Sequence, residues 1–248
     1  MADKSEISNP KSAINNIPVI ILAGGLGTRL RLIINDIPKP MAPVNGKPFL
    51  HYILKSLQGQ NVSSVILSVA YKCEMIKEFF KDEYLGIRVQ YSIEEEPLGT
   101  GGGIKKAFNL VKDFAFVLNG DTFFDVPLNE LRDFYFSTGS DLVLALKLVK
   151  GQDRYGTVQI DEANRIKRFE EKRFMKEALI NGGTYFLNKS LWNKISVEEK
   201  FSFEKDVLEK YTDELKFNGK VFENYFIDIG IPEDYERAQH DLKWTENR

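Results

Sequence analysis

Short, fully apolar runs alternate with amphipathic stretches in the first half of the chain. The runs cover residues 18–23, 64–70 and 114–118 and are rich in Val and Ile. Such runs are typical of parallel strands that are buried on both faces. Helical periodicity begins at Pro48, which suits a first helical position, covers residues 74–81, and begins again near Gly101. This alternation predicts βαβ units and a mostly parallel sheet, the α/β class.

The second half of the chain is richer in strands. Residues 141–149, 156–160, 165–169 and 180–187 are predicted strands, residues 161–164 form a predicted hairpin turn, and residues 232–243 a closing helix. No hexapeptide period follows, so we expect no β-helix. Residues 1–17 are polar and lack the apolar core of a signal peptide, which predicts a flexible leader. Residues 18–248 then make one domain.

Composition narrows the functional classes. The 248 residues are 43% hydrophobic and 28% charged, which is typical of a globular protein. A net charge of -2 gives no general attraction to nucleic acid or to an anionic membrane, so we expect neither as a partner. No apolar run reaches the roughly 20 residues that span a bilayer. The single cysteine, Cys73, fits a reducing cytoplasm and leaves no disulfide or thiolate cluster.

The first predicted strand ends in a glycine-rich loop, residues 22–30, with the sequence LAGGLGTRL. Glycines let backbone N–H groups approach phosphate oxygens, and Arg29 adds a planar fork of donors. The loop is not a dinucleotide fingerprint, because Leu30 occupies the third glycine position, and no P-loop is present. Downstream, Pro38 and Pro40 hold Lys39 in stiff backbone, as suits a phosphate-binding charge. Taken alone, a glycine-rich loop is as often a plain turn, and a lysine in a proline-rich loop is as often simply solvated.

Together, the strand, the Gly-Gly-x-Gly-Thr-Arg-Leu loop and Pro-Lys-Pro-Met at residues 38–41 resemble the signature of the sugar-nucleotidyltransferase family. The resemblance extends from Pro18 to about Leu242. It implies a Rossmann-like, three-layer nucleotide-diphospho-sugar transferase fold with a mixed, mostly parallel central sheet. It also implies an enzyme that joins a nucleoside triphosphate to a sugar 1-phosphate and releases pyrophosphate.

A second match, EEEPLGTGG at residues 94–102, supplies the base contact in this family. The family's base-reading side chain is here Glu94, whose carboxylate only accepts hydrogen bonds. Guanine offers N1–H and an exocyclic amine as paired donors, so Glu94 favours GTP over UTP or TTP; an exposed acidic loop is the alternative. The resemblance implies these nucleotide contacts: Leu22, Ala23, Gly24, Gly25, Gly27, Thr28, Arg29, Glu94, Pro97, Gly99, Thr100, Asn119 and Gly120.

The resemblance also implies a Mg²⁺ site and a sugar site. Asp121, after the strand ending near residue 118, and the distant Asp228 would be the metal ligands, although a lone Asp is more often a turn residue or a cap. Glu171 would bind sugar hydroxyls and Lys172 the sugar phosphate, although Arg173 stands where many relatives have Pro. The implied sugar-phosphate contacts are Tyr155, Gly156, Glu171, Lys172, Asn181, Gly183 and Thr184.

The expected chemistry is in-line attack by the sugar phosphate on the α-phosphorus, with Arg29, Lys39 and Asp121 as the catalytic residues and no general base. Within the family the chain resembles guanylyltransferases of mannose-type sugars, so heptose or mannose 1-phosphate is the expected acceptor. A uridylyl or thymidylyl enzyme is a further alternative, and so is a non-catalytic subunit that binds sugar nucleotides. The sequence is compatible with a homo-oligomer and does not fix the oligomeric state.

Overall fold

A computed structural model describes residues 16–25 and 37–243. The strands are, in chain order, β1 (Val19–Leu22), β2 (Pro43–Val44), β3 (Lys47–Pro48), β4 (Ser64–Val69), β5 (Glu83–Tyr84), β6 (Ile87–Ile93), β7 (Phe114–Asn119), β8 (Thr122–Phe124), β9 (Leu142–Gln152), β10 (Thr157–Ile160), β11 (Ile166–Glu170), β12 (Met175–Asn188), β13 (Phe217–Val221) and β14 (Phe226–Asp228). The α-helices are α1 (Phe49–Gly59), α2 (Cys73–Phe80), α3 (Gly99–Ala107), α4 (Leu128–Thr138) and α5 (Pro232–Asp241).

Within the described residues, the central sheet has ten strands, and its middle is parallel. Strands β6, β4, β1 and β7 pair in that order with parallel registers. Strand β12 then pairs antiparallel with both β7 and β9, and β9 pairs parallel with β13. The predicted mixed, mostly parallel sheet is therefore confirmed.

Apolar cores cover both faces of this sheet. In β1, Val19 and Ile21 join one core together with α1, whereas Ile20 joins the other together with Ile104 of α3. Because alternate side chains of a strand point to opposite faces, an uninterrupted apolar run is what a sandwiched strand needs. Helices on both faces give the expected three-layer, Rossmann-like arrangement.

Several predicted boundaries differ from the observed ones. Pro48 is not the first helical residue: its φ of -58° and ψ of 145° are extended, it pairs with Pro43, and α1 begins at Phe49. Strand β12 begins at Met175, five residues before the predicted start, because its first part pairs with the long strand β9. Within the described ranges, no helix combines the length and the apolarity that crossing a membrane requires.

Candidate active site

The carboxyl ends of the parallel strands bring the predicted nucleotide-facing segments to one edge of the sheet. Strand β1 leads into Ala23 and Gly24, β6 into Glu94, and β7 into Gly120 and Asp121. Ligands of open α/β sheets bind at this edge, where neighbouring crossovers run in opposite directions. Gly27, Thr28 and Arg29 lie outside the described residues, so the structure places only the first part of the phosphate loop.

Backbone contacts fix the start of that loop. Ala23 N–H donates to the Ser68 carbonyl at 2.7 Å, and Gly120 N–H donates to the Leu22 carbonyl at 3.0 Å. A methyl group on Gly24 would lie 3.2 Å from Ala70, whereas one on Gly25 would meet nothing within 4 Å. Packing within the described chain therefore gives no reason for glycine at position 25, which is consistent with the predicted close approach of a phosphate.

Glu94 is held by its own chain at both carboxylate oxygens. Oε1 accepts from Ser68 Oγ at 3.0 Å, and Oε2 accepts from the Leu98 N–H at 2.9 Å. A carboxylate has about four lone-pair positions, so these two bonds leave an acceptor position on each oxygen. The carboxylate also lies near the N-terminus of α3, where the helix dipole attracts negative charge. Glu94 is thus fixed in orientation and can still accept from a bound base.

The glycines that follow Glu94 are packed against residues 199–203. A methyl group on Gly99, whose φ is +75°, would lie 2.5 Å from the Phe201 carbonyl oxygen, and one on Gly101 would lie 2.1 Å from the Phe201 ring. At Gly103 the nearest atom would be Glu94 Oε1, at 2.7 Å. Internal packing therefore accounts for these glycines, where the sequence suggested only approach to a base.

The Thr100 side chain also binds the segment that follows Phe201. Its hydroxyl donates to Glu204 Oε2 at 2.7 Å and accepts from the Phe203 N–H at 2.9 Å. Glu204 begins a π-helical turn, Glu204–Glu209, an element that is rare and often lies near functional sites. The Thr100 side chain thus anchors the glycine-rich segment. A nucleotide contact by Thr100, which stays a prediction, would have to come from its backbone. Pro97 is exposed at the start of this segment.

Lys39 joins the two predicted metal ligands. Its Nζ lies 2.6 Å from Asp121 Oδ2 and 3.5 Å from Asp228 Oδ1, and its side chain is 11% exposed. The contact depends on pairing of β8 with β14, which sets Asp228 opposite Thr122. Burial, and then the charge of Asp121, raise the pKa of Asp228, while Lys39 opposes that rise. A cation between two such carboxylates offsets their repulsion.

The pair fits a magnesium site that substrate would complete. Across the described chain, no cluster of three or more His, Cys, Asp or Glu side chains could hold a metal ion. Magnesium in nucleotide sites is commonly held by one or two carboxylates plus phosphate oxygens and water, and Asp121 with Asp228 match that requirement. Lys39 was expected to steady a phosphate; here its ammonium lies against the carboxylates instead, and its catalytic role stays a prediction.

The sugar-facing segments meet this edge through β12. Its register with β9 shifts between Asn181 and Tyr185, which inserts Gly182 and Gly183 as a bulge. Gly183 has φ +70°, its N–H donates to Asn181 Oδ1 at 3.0 Å, and a methyl group on it would lie 2.5 Å from Asn119 Nδ2. The bulge therefore lets the predicted sugar strand pack against the end of β7. Thr184 is buried there and pairs with Leu118.

The remaining predicted sugar residues lie on two connections. Tyr155 and Gly156 precede β10, and the Tyr155 ring meets the Phe226 ring edge-on at 6.1 Å. Glu171 and Lys172 follow β11 and are exposed. Arg173, at the position where Pro was expected, donates to Glu170 Oε2 at 2.8 Å and so steadies this connection by another means.

Comparison with known proteins agrees with this geometry. The family model described as "Nucleotidyl transferase" matches residues 18–244. The chain belongs to the nucleotidyl transferase family. Members of this family generally use divalent metal ions.

Individual relatives of this nucleotidyl transferase are also close. The D-glycero-alpha-D-manno-heptose 1-phosphate guanylyltransferase of Campylobacter jejuni is 56% identical over 87% of this chain and 96% of its own length. The enzyme of the same name from Aneurinibacillus thermoaerophilus is 51% identical over 90% of this chain and 97% of its own length. The crystal structure of HddC from Yersinia pseudotuberculosis complexed with GMP-PN superposes with a TM-score of 0.83, at 40% identity, over 92% of this chain and all of that one.

Proposed function

We propose that this protein transfers GMP from GTP to D-glycero-α-D-manno-heptose 1-phosphate, giving GDP-heptose and pyrophosphate for a surface polysaccharide. The observation that carries the proposal is the convergence of Lys39, Asp121 and Asp228 at the carboxyl edge of the sheet. Two relatives that exceed 50% identity bear a heptose guanylyltransferase name, which supports heptose as the sugar.

In the proposed reaction, an oxygen of the sugar 1-phosphate attacks the α-phosphorus, a new P–O bond forms, and the bond to the β-phosphate bridge oxygen breaks. The electron pair leaves with pyrophosphate. Asp121 and Asp228 would hold Mg²⁺, which when bound neutralises charge on phosphate oxygens. Arg29 would hold the leaving pyrophosphate, while Lys39 and Lys172 would steady the attacking phosphate.

The reaction needs no general base, because the attacking phosphate is already an anion near neutral pH. The two histidines do not supply one: His51 is buried and shares a hydrogen bond of 2.9 Å with Tyr84, and His240 lies in the last turn of α5. Burial, followed by the hydrogen bond to Glu74, raises the pKa of the Cys73 thiol, which makes it a poor nucleophile. Positioning and charge neutralisation then account for catalysis.

Glu94 supports guanine as the base. With Ser68 and the Leu98 N–H fixing its orientation, one acceptor position on each oxygen is left for the paired donors of guanine. Uracil and thymine present one N–H between two carbonyls, so a carboxylate would face an acceptor. This favours GTP over UTP and TTP.

Pyrophosphate release measured over a panel of triphosphates and sugar 1-phosphates tests the proposal. GTP with D-glycero-α-D-manno-heptose 1-phosphate should give the highest kcat/KM. Preference for mannose 1-phosphate would replace the heptose by the sugar of the mannose-1-phosphate guanylyltransferases, one of which is 36% identical. Pyrophosphate release with none of the pairs would favour the non-catalytic subunit.

A further inference from the structure

Asp234 is a buried carboxylate on α5, outside every segment assigned so far to the site. Its side chain is 8% exposed and forms ion pairs with Arg154 Nη1 and, at 3.1 Å, with Arg237 Nη1. A carboxylate this buried depends on such partners, and breaking a buried pair on one side leaves an uncompensated charge. Asp234 also lies in the first turn of α5, where the helix dipole favours a negative charge.

Arg154 links this carboxylate to Tyr155, in the predicted sugar-facing connection between β9 and β10. Its Nη2 donates to the Tyr155 hydroxyl at 3.3 Å, and its guanidinium lies 5.2 Å from the centre of the Tyr155 ring. The same ring packs edge-on against Phe226, two residues before Asp228 in β14. The contacts run without a gap from α5, through Arg154 and Tyr155, to the strand that ends at the predicted metal ligand.

Burial, more than the neighbouring charges, favours the protonated form of the Tyr155 phenol and raises its pKa. Burial raises its pKa, the negative charge of Asp228 raises it further, and the charge of Arg154 opposes the rise. Tyr155 therefore carries a hydroxyl proton at neutral pH and can donate a hydrogen bond to a ligand oxygen. The guanidinium of Arg154 contacts this ring and its hydroxyl, and Asp234 binds the same guanidinium.

We propose that Asp234 is a positioning residue for the acceptor side of the site. By holding Arg154, it keeps the Tyr155 ring against β14, so that the predicted sugar-facing connection between β9 and β10 keeps its position relative to Asp228. The effect on substrate rests on the proposed function, in which this connection faces the sugar 1-phosphate. The contact path itself does not, and the two can be tested separately.

The substitution D234N removes the charge with little change of shape. We expect KM for D-glycero-α-D-manno-heptose 1-phosphate to rise roughly tenfold, because small displacements of positioning groups are costly, and KM for GTP to stay within about twofold. The matched control is D241N on the same helix. Asp241 accepts from the Tyr225 hydroxyl at 2.7 Å and approaches Arg237 Nε at 3.6 Å. D241N should leave both KM values unchanged.

A double-mutant cycle separates positioning from general stability. R154M should raise the sugar-phosphate KM as D234N does, and D234N/R154M should be no worse than R154M alone, because the two groups act through one contact. Additive effects, or an equal rise of both KM values with a lowered Tm, would overturn the positioning role.

Hydrogen exchange in the ligand-free protein tests the path without any substrate. D234N should speed exchange of the amides of residues 155–157 while D241N does not. Unchanged exchange would overturn the proposal, and so would faster exchange with a wild-type sugar-phosphate KM. Faster exchange in a protein that uses no sugar phosphate would refute the proposed function but support the contact path.

Discussion

Residues 94–102, expected to contact the nucleotide, and residues 171–174, which begin with the expected sugar contacts Glu171 and Lys172, differ in how firmly the rest of the chain holds them. In the first segment both oxygens of Glu94 accept bonds from the chain, and the hydroxyl of Thr100 is bonded twice. In the second, all four side chains are exposed, and Phe174 reaches 68% exposure. The bond from Arg173 to Glu170 steadies this second segment.

The two segments differ in how much conformational freedom they lose when a ligand binds. A segment whose polar groups are already bonded loses little conformational freedom when a ligand arrives, whereas each exposed side chain that becomes fixed costs about 0.5–1.5 kcal/mol. We infer that the base side is pre-organised and that the sugar side is completed by its substrate. As the proposed Mg²⁺ ligands, Asp121 and Asp228 would serve both sides of the site, so substitutions there should give the largest effects.

D121N and D228N should each lower kcat at least about 100-fold, a typical loss for removing a group that neutralises developing charge. Each substitution removes one of the two carboxylates that would hold the divalent ion and leaves Lys39 with a single partner. Turnover at low Mg²⁺, with circular dichroism to verify the fold, measures the effect. D133N, at an exposed position of α4, is the control. Near-normal turnover of both site variants would refute the metal assignment.

E94Q should lower kcat/KM for GTP by roughly tenfold, since a lost bidentate base contact costs about 1–3 kcal/mol. The amide oxygen can keep the Leu98 N–H, and the amide NH₂ can face Ser68 Oγ, which can turn to accept. One guanine donor then meets an NH₂ group. The gap between GTP and UTP should narrow as a result.

Competition between GTP, UTP and TTP on wild type, E94Q and the neighbouring control E95Q measures this change. If E94Q keeps the wild-type selectivity, the carboxylate serves only to fasten residues 94–98, and the base is read by backbone groups near Gly99.

The strands that the sequence predicted best are those buried on both faces. Residues 18–23 and 114–118 match β1 and β7 to within one residue per end, because a continuous apolar run has few other uses. Strand β6 escaped prediction: its exposed Arg88 and half-buried Gln90 interrupt the apolar pattern. Strand β13 did so too, because its buried Asn218 depends on a bond from Ser140, 78 residues away.

For the site, the sequence identified residue types but could not give their partners. It singled out Lys39 for a phosphate, and the pairing with Asp121, 82 positions away, needs the folded sheet. It assigned Gly99 to the nucleotide, and the contact with Phe201 that explains this glycine lies about 100 residues downstream. Asp234 carried no signal, since an acid in the first turn of a helix is common.

K172A should raise KM for the sugar 1-phosphate about fivefold and leave KM for GTP unchanged. A charge-assisted bond to phosphate is worth about 1.5–3 kcal/mol, and the exposure of Lys172 reduces that value. K176A, four positions along at an exposed site of β12, is the matched control, and K172R should retain most of the affinity. An equal change in both KM values would mean that Lys172 does not lie on the acceptor side.

The substitutions G25A and G101A should distinguish a glycine that lets a phosphate approach from one that internal packing requires. Alanine in α3 gains about 1 kcal/mol of helix propensity over glycine, but the methyl group of G101A would lie 2.1 Å from the Phe201 ring. That ring is 6% exposed and packs near Trp192, so it cannot move aside freely. Overpacking costs about 1–3 kcal/mol, so G101A should lower the free energy of unfolding by about 1 kcal/mol, net of that gain.

For G25A, no atom of the described residues would lie within 4 Å of the new methyl group, so the free energy of unfolding should stay at the wild-type value. KM for GTP should nevertheless rise several-fold, because the methyl group would occupy the space that a phosphate is expected to approach. Urea unfolding without ligands and steady-state KM measure the two effects on the same preparations. If G25A is as destabilised as G101A, or binds GTP as wild type does, glycine at position 25 is not there for the phosphate.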